Sequence, residues 1–339
     1  MRVGFNPNKD KIKNKSKYFH QVILPIYIPD KNDYFKDSFT ILKLCLESLF
    51  KTCHDKTFFT VINNGSNYEV IEYLDKLFKE KKINELTHTT NIGKINAIIK
   101  GIVGQKFELV TITDSDVLFL NNWQEECYKV FKSFPKAGAV CTTPSSKSYN
   151  NLTFNLIFDN FFSKKLKFTT VKNSFALKSF AKSIGNNNFY NKTHLKKYLT
   201  ICNKDFKAVV GAGHFVSTYR FDIFDKMDET YSNFSLGGLS EQKFLDESVI
   251  KKGLWRLSTE DNFTYHMGNT YEKWMDQVFE KIKKDYKKNS LDIEFNNFKE
   301  NSFFFWVKNN LLQKILFRKK FKQKFLQYKG LTINESKDY

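Results

Sequence analysis

Three uninterrupted apolar runs, QVILPIYI at 21–28, TFFTVI at 57–62 and FELVTIT at 107–113, constrain this chain more than any other feature. A strand apolar at every position must be buried on both faces, and a parallel sheet covered by helices on each side achieves that. The intervals between the runs agree. Phe39, Leu42, Leu46, Leu49 and Phe50 recur at helical spacing, with Asp37 or Ser38 placed to cap the helix. A second helix is expected over about 67–82, with Val70, Ile71, Leu74, Leu77 and Phe78 inward, followed by the short segment LTHTT. A third starts near Gly93, where Gly93, Ala97 and Gly101 fall four apart and form a flat strip for close approach to the sheet. A helix at 122–134 and a strand near 137–142 complete a doubly wound α/β half.

From 145 to 205 the rhythm is lost: SSKSYNN and GNNNFYN interrupt the aromatic patch FNLIFDNFF, which reads as an adaptable insertion. Order returns at AVVGAGHFVSTYR, 208–220, as a strand, a Gly-rich turn and a strand. Helices near 240–252 and 271–288 flank strands at 254–258 and 263–266. The tail from 300 reads as one helix with Phe304, Val307, Leu311, Leu312, Ile315 and Leu316 on one side. Arg318, Lys319, Lys320, Lys322 and Lys324 then place five positive charges in seven residues.

Composition narrows the function classes. The chain has 339 residues, 41% of them hydrophobic, with only 14 Gly and 5 Pro, which excludes fibres and disorder. Its five cysteines contain no CxxC pair and are odd in number, as expected for buried, reduced thiols in the cytoplasm. Fifty-five Lys plus Arg against 36 Asp plus Glu leave a net charge of +19, which invites an anionic partner. Only Arg2, Arg220, Arg256 and Arg318 are arginines, whereas reading base edges relies on arginine forks. Phosphate ligands or an anionic membrane are therefore expected, and nucleic acid is not. The first 20 residues are polar and lysine-rich, and no run reaches the roughly 18 apolar residues of a membrane span. The expectation is a cytoplasmic protein, soluble or peripheral at the inner face of the cell membrane.

The chemistry is concentrated at Asp114-Ser115-Asp116, which ends a buried strand. Ligands of open α/β sheets bind outside the carboxyl ends of the strands, and two carboxylates one residue apart can hold a hard divalent cation that leaves coordination sites for diphosphate oxygens. The plainer alternative is a turn cap before Leu118. A wider set of motifs resembles the GT-A glycosyltransferases of the family 2 type, over roughly residues 21–270. Pro25 lies in the first strand, Asn63-Asn64-Gly65-Ser66 stands where the family has a D-N-G-S turn, and Asn91, Gly93 and Ala97 match an N-x-G-x-x-x-A helix start. Asp114–Asp116 match the DxD.

The resemblance implies a Rossmann-like, mixed but mostly parallel sheet flanked by helices, with a C-terminal helical extension. Its implied organisation is a polar arm over 1–20, a nucleotide-sugar-binding half over 21–150, an acceptor-binding half over 151–290, and a basic amphipathic tail over 291–339. It implies an inverting transfer of a sugar from a nucleoside-diphosphate donor, a UDP-sugar first, to a glycan, lipid-linked or surface-polymer acceptor. Asp114, Asp116 and His266 would bind Mn²⁺ or Mg²⁺. Pro25, Asn63, Asn91, Gly93, Lys94, Asp114 and Ser115 would meet the donor, and Gly213 and His214 the acceptor. Counting back from Gly253, Glu241 falls where the family's Glu-Asp pair begins, but Gln242 replaces the Asp that commonly serves as base. Glu241, Asp246 and Glu247 are thus the base candidates. Asn63 in place of the family's Asp is a second departure. The tail over 300–329 is expected either to pack across the domain or to anchor to an anionic bilayer, with the anchor preferred. A nucleotidyltransferase is disfavoured because LPIYIPDKND carries no Gly-rich basic loop. An inactive relative and a basic binding protein for membranes or nucleic acid are the remaining alternatives.

Overall fold

The computed structural model describes residues 4–12, 16–225, 230–284, 293–316 and 318–339. Among the described residues twelve strands are formed: β1 (His20–Ile26), β2 (Thr57–Asn64), β3 (Glu85–Thr89), β4 (Leu109–Thr113), β5 (Val117–Phe119), β6 (Ala137–Cys141), β7 (Leu166–Thr170), β8 (Lys197–Asn203), β9 (Phe206–Val210), β10 (Val216–Arg220), β11 (Trp255–Thr259) and β12 (Thr264–His266). Ten join one sheet in the order β3-β2-β1-β4-β10-β6-β11-β9-β8-β7, and β5 pairs with β12 in a small second sheet. The pairing is parallel through β3-β2-β1-β4 and again at β6-β11, while β10, β9 and β7 run against the others. This is the mixed, mostly parallel α/β sheet that the resemblance implies, its parallel half being the one the apolar runs predict.

Alternation along β1 builds a core on each face. Val22, Leu24 and Ile26 pack with Leu42, Leu46, Leu49 and Leu74 from the helices Ser38–Thr52 and Tyr68–Lys79. Ile23 points the other way and meets Ile95, Ile98 and Ile102 of the helix Lys94–Ile102. The small-residue strip holds at its far end: a Cβ on Gly101 would stand 3.0 Å from Ile23 Cγ2 and 3.3 Å from Thr60 Cγ2. Gly93 lies before the helix at φ +89, and its close neighbours are Phe234 and Ser235 of a later loop.

Two expectations change. The 145–205 segment is built into the sheet: β7 and β8 extend it beyond β9, and Leu177 and Ala181 of the helix Ser174–Ser183 share a small core with Tyr198 of β8. The tail is several helices, Ser302–Trp306, a π-helical turn Val307–Leu312, Gln313–Leu316, Lys319–Tyr328 and Ile333–Asp338. Phe325, Leu326, Leu331 and Tyr339 are buried in the main core. Lys329 Nζ donates to the carbonyls of Asn160, Phe161 and Ser163, and the Tyr339 hydroxyl donates to those of Ser146 and Lys197. Packing across the domain is therefore what the last part of the tail does. The helix expected over 271–288 is formed over Lys273–Glu280, and its positions past 284 lie outside the described residues.

Candidate active site

Strand register assembles the site. β4 ends at Thr113, and Asp114-Ser115-Asp116 follow at its carboxyl end. On one side β10 runs antiparallel with Val216 opposite Thr113, and the Asp114 amide donates to the Phe215 carbonyl at 2.8 Å. His214 is thereby carried to the edge of the DSD turn. On the other side β12 pairs His266 with Val117, and the Met267 amide donates to the Asp116 carbonyl at 2.7 Å. His266 Nε2 stands 3.3 Å from Asp116 Oδ2, and its Nδ1 lies 2.9 Å from the Ser183 hydroxyl.

A cavity of about 340 Å³ opens here, lined by Pro25, Asn64, Asn91, Lys94 and the whole Asp114-Ser115-Asp116 turn, with Tyr27 and Tyr34 on its apolar side. Asn64 and Asn91 shape one wall: Asn64 Oδ1 accepts from the Ile92 amide at 2.9 Å, and Asn91 Oδ1 accepts from Asn64 Nδ2 at 3.2 Å. Gly65 permits this fold-back, since its φ is +91 and a Cβ there would meet the Asn91 amide nitrogen at 2.9 Å. Asn63, expected to meet the donor, is not among the cavity residues. It is buried, with Oδ1 accepting from the Ser66 amide and Nδ2 beside His88 Nδ1, so it holds the turn while Asn64 faces the cavity. Successive strand residues face opposite sides, and the count along β2 decided which of the two is presented.

The charges form a chain. Lys94 Nζ lies 2.6 Å from Asp114 Oδ1 and 3.3 Å from Glu241 Oε1. Burial opposes the charged amine, but the two carboxylates outweigh it and hold Lys94 above its ordinary pKa. Burial raises the Asp116 carboxyl, with His266 pulling it down and Asp114 pushing it up. Asp116 Oδ1 is buried without a hydrogen-bond partner. Among the described residues, no three His, Cys, Asp or Glu side chains already enclose a metal position. Asp116 and His266 are brought together, whereas Asp114 is turned to Lys94.

The three base candidates separate. Glu241 is beside the cavity through Lys94, held by a loop whose Ser232 amide donates to Asn96 Oδ1 at 2.8 Å and whose Ser235 carbonyl accepts from the Lys94 amide at 2.9 Å. Asp246, expected as a base, has no exposed surface and instead faces Arg256 Nη2 at 2.8 Å and His214 Nδ1 at 3.2 Å. A π-helical turn, Gln242–Asp246, adds a residue to this helix start and rotates Asp246 inward. Glu247 opens the next helical segment and is not among the cavity residues. Gly213 lies next to His214, its carbonyl accepting from Ser217 Oγ at 2.7 Å. Arg256, Tyr27, Tyr34 and Leu236 were not anticipated; of these only Arg256 carried a signal, as a charge inside the apolar strand WRLST.

Comparison with known proteins places the arrangement. Among solved structures, the chain is similar to S. aureus TarS at 13% identity and a TM-score of 0.43, covering 77% of this chain and 42% of that one. A TarS 1-349 structure in complex with UDP-GlcNAc is similar at 14% identity and a TM-score of 0.42, over 77% of this chain and 64% of that one. The mannosyltransferase PcManGT from Pyrobaculum calidifontis, in complex with GDP-Man and Mn²⁺, is similar at 13% identity and a TM-score of 0.39, over 74% and 57%. This chain thus spans less than half of the first of these proteins and under two thirds of the other two. No curated protein matches the chain. The family model described as "Glycosyl transferase family 2" matches residues 34–227, more than half of the chain, from the helix before β2 through the DSD turn to the end of β10. This protein belongs to glycosyl transferase family 2.

Proposed function

We propose that this transferase takes its glycosyl unit from a nucleoside-diphosphate sugar, with UDP-sugars first, and passes it with inversion to a hydroxyl of a glycan, lipid-linked or surface-polymer acceptor. The observation that carries the reading is the buried, unpartnered Asp116 Oδ1 at the mouth of a cavity that also collects Asp114 and Lys94. An orphaned carboxylate oxygen beside an imidazole suits a divalent cation, because leaving such an atom without a partner otherwise costs about 1–3 kcal/mol. Asp116, His266 and, once released from Lys94, Asp114 would hold it. The mixed oxygen and nitrogen donors favour Mn²⁺ over Mg²⁺. When bound, the ion supplies positive charge against the leaving diphosphate.

The chain's own groups do the rest. Lys94 places a second cation at the same point, preorganised by Glu241, where negative charge develops on the leaving group. The Asn64 and Asn91 amides offer donors and acceptors to a nucleoside, and the Tyr27 and Tyr34 rings offer faces for a base or sugar. Titrating UDP, GDP, CDP and dTDP calorimetrically with Mn²⁺ and then with EDTA tests this. One nucleotide is expected to bind in a manner that needs both Mn²⁺ and Asp116, read on Asp116→Ala; no binding by any of the four refutes the donor class.

Contact with an anionic bilayer is proposed only for the outer face of residues 303–321. There Phe303, Phe304, Trp306 and Phe321 are exposed beside Arg318, Lys319 and Lys320.

A further inference from the structure

Asp246 is a carboxylate with no exposed surface, and two basic side chains converge on it. Arg256, also fully buried, reaches Asp246 Oδ2 with Nη2 at 2.8 Å and donates to the carbonyls of Asn151 at 2.9 Å and Ala212 at 2.6 Å. From the opposite side His214 brings Nδ1 to 3.2 Å from the same oxygen. The imidazole and the carboxylate are within reach but not aligned as a formed hydrogen bond, and His214 Nδ1 has no hydrogen-bond partner among the described residues. Such pairs tighten when substrate closes the site. The His214 side chain is 36% exposed, in contrast to the two groups behind it. The carbonyl of its neighbour Phe215 accepts from the Asp114 amide, which brings the backbone at His214 alongside the DSD turn.

This is a layered arrangement: a guanidinium anchored by carbonyls, a carboxylate it holds in place, and an imidazole at the surface. With Nδ1 turned to Asp246, the neutral ring carries its proton there and leaves Nε2 free to accept one. Glu241, the base candidate joined to the cavity through Lys94, is engaged by that lysine, and Gln242 has no basicity. We infer that His214 takes the proton of the acceptor hydroxyl, with Asp246 and Arg256 as positioning residues behind it. The assignment rests on the donor reading above. In the transfer, the acceptor O–H proton moves to His214 Nε2 as the oxygen lone pair forms the bond to the anomeric carbon. The bond from that carbon to the diphosphate oxygen breaks, and its electron pair leaves on the diphosphate. The imidazolium so formed faces the Asp246 carboxylate.

Burial raises the Asp246 carboxyl, Arg256 on β11 and then His214 pull it down, and Glu241 and Glu247 of the same helical stretch push it up. The test uses the full chain with Mn²⁺ and either UDP-GlcNAc or GDP-Man, following nucleoside diphosphate released to water, in wild type, His214→Gln and Asp246→Asn. His214→Gln is expected to lower kcat by about 100-fold or more, to leave donor KM within about twofold, and to abolish the acid limb of the pH profile. Asp246→Asn is expected to lower kcat as well while leaving donor KM within about twofold. Ring nitrogen spectra, which need no turnover, are expected to show neutral His214 protonated at Nδ1. Protonation at Nε2, or a His214→Gln enzyme that keeps both rate and acid limb, overturns the assignment. Unchanged nucleotide binding in that active variant leaves the donor reading standing, whereas a wild type that binds no nucleotide removes the donor reading and this assignment together.

Discussion

At the scale of single residues, the site depends on which polar atoms are left without partners. Asp116 Oδ1 is one, and His266 stands beside the same carboxylate at 3.3 Å with its other nitrogen on Ser183. Replacing His266 with Ala is therefore expected to weaken nucleotide binding in Mn²⁺ by about tenfold or more while leaving binding in EDTA unaltered, as read by calorimetry. His194 makes a different prediction. Burial, followed by the charges of Lys147 and Lys322, lowers its pKa to about 4. The unfolded chain binds this proton near the ordinary value of about 6.5, so between these limits the unfolded state holds more protons and stability falls as pH falls. Urea midpoints at pH 7 and pH 4.5 should show that loss, and His194→Gln should reduce it.

At the scale of elements, close approach of the helix Lys94–Ile102 to β1 and β2 sets the position of Lys94 at its first turn. Gly101 is the point of nearest approach, with its carbonyl also accepting from Gln21 Nε2 at 2.8 Å. Gly101→Val forces two methyl groups into contacts already at 3.0–3.3 Å and is expected to destabilise the fold by about 1–3 kcal/mol, measured by urea unfolding. The helical period made the small-residue strip legible. It could not show that Gly93 sits outside the helix and serves a loop 140 residues away, because φ and long-range contacts have no period.

At the scale of the whole molecule, the last helices close the structure over β7 and β8. Deleting residues 318–339 removes Phe325, Leu326, Leu331 and Tyr339 from the core and uncovers Tyr149 and Phe168. The truncated chain is expected to be insoluble or to lose most of its cooperative thermal transition, judged by calorimetric scanning. Exchanging Phe303, Phe304 and Trp306 for Ser replaces only exposed side chains and should leave that transition in place, while reducing flotation with vesicles that contain anionic lipid. Unaltered flotation would refute the bilayer contact.

Local patterns alone determined the parallel half of the sheet, its helices and the strand-end location of Asp114–Asp116. Each depends on burial of a periodic face or on a nearby backbone geometry, both of which are written along the chain. Tertiary structure decided the rest. Asn64 rather than Asn63 reached the cavity because of one residue of strand parity, and Asp246 turned inward because a π-helical turn added one residue. The 145–205 segment became sheet because an existing edge, β9, paired with it. The last part of the tail joined the core because an apolar surface over β7 and β8 stood open to it. An apolar basic helix reads the same whether it meets a bilayer or its own domain, since what distinguishes them is the surface on the other side.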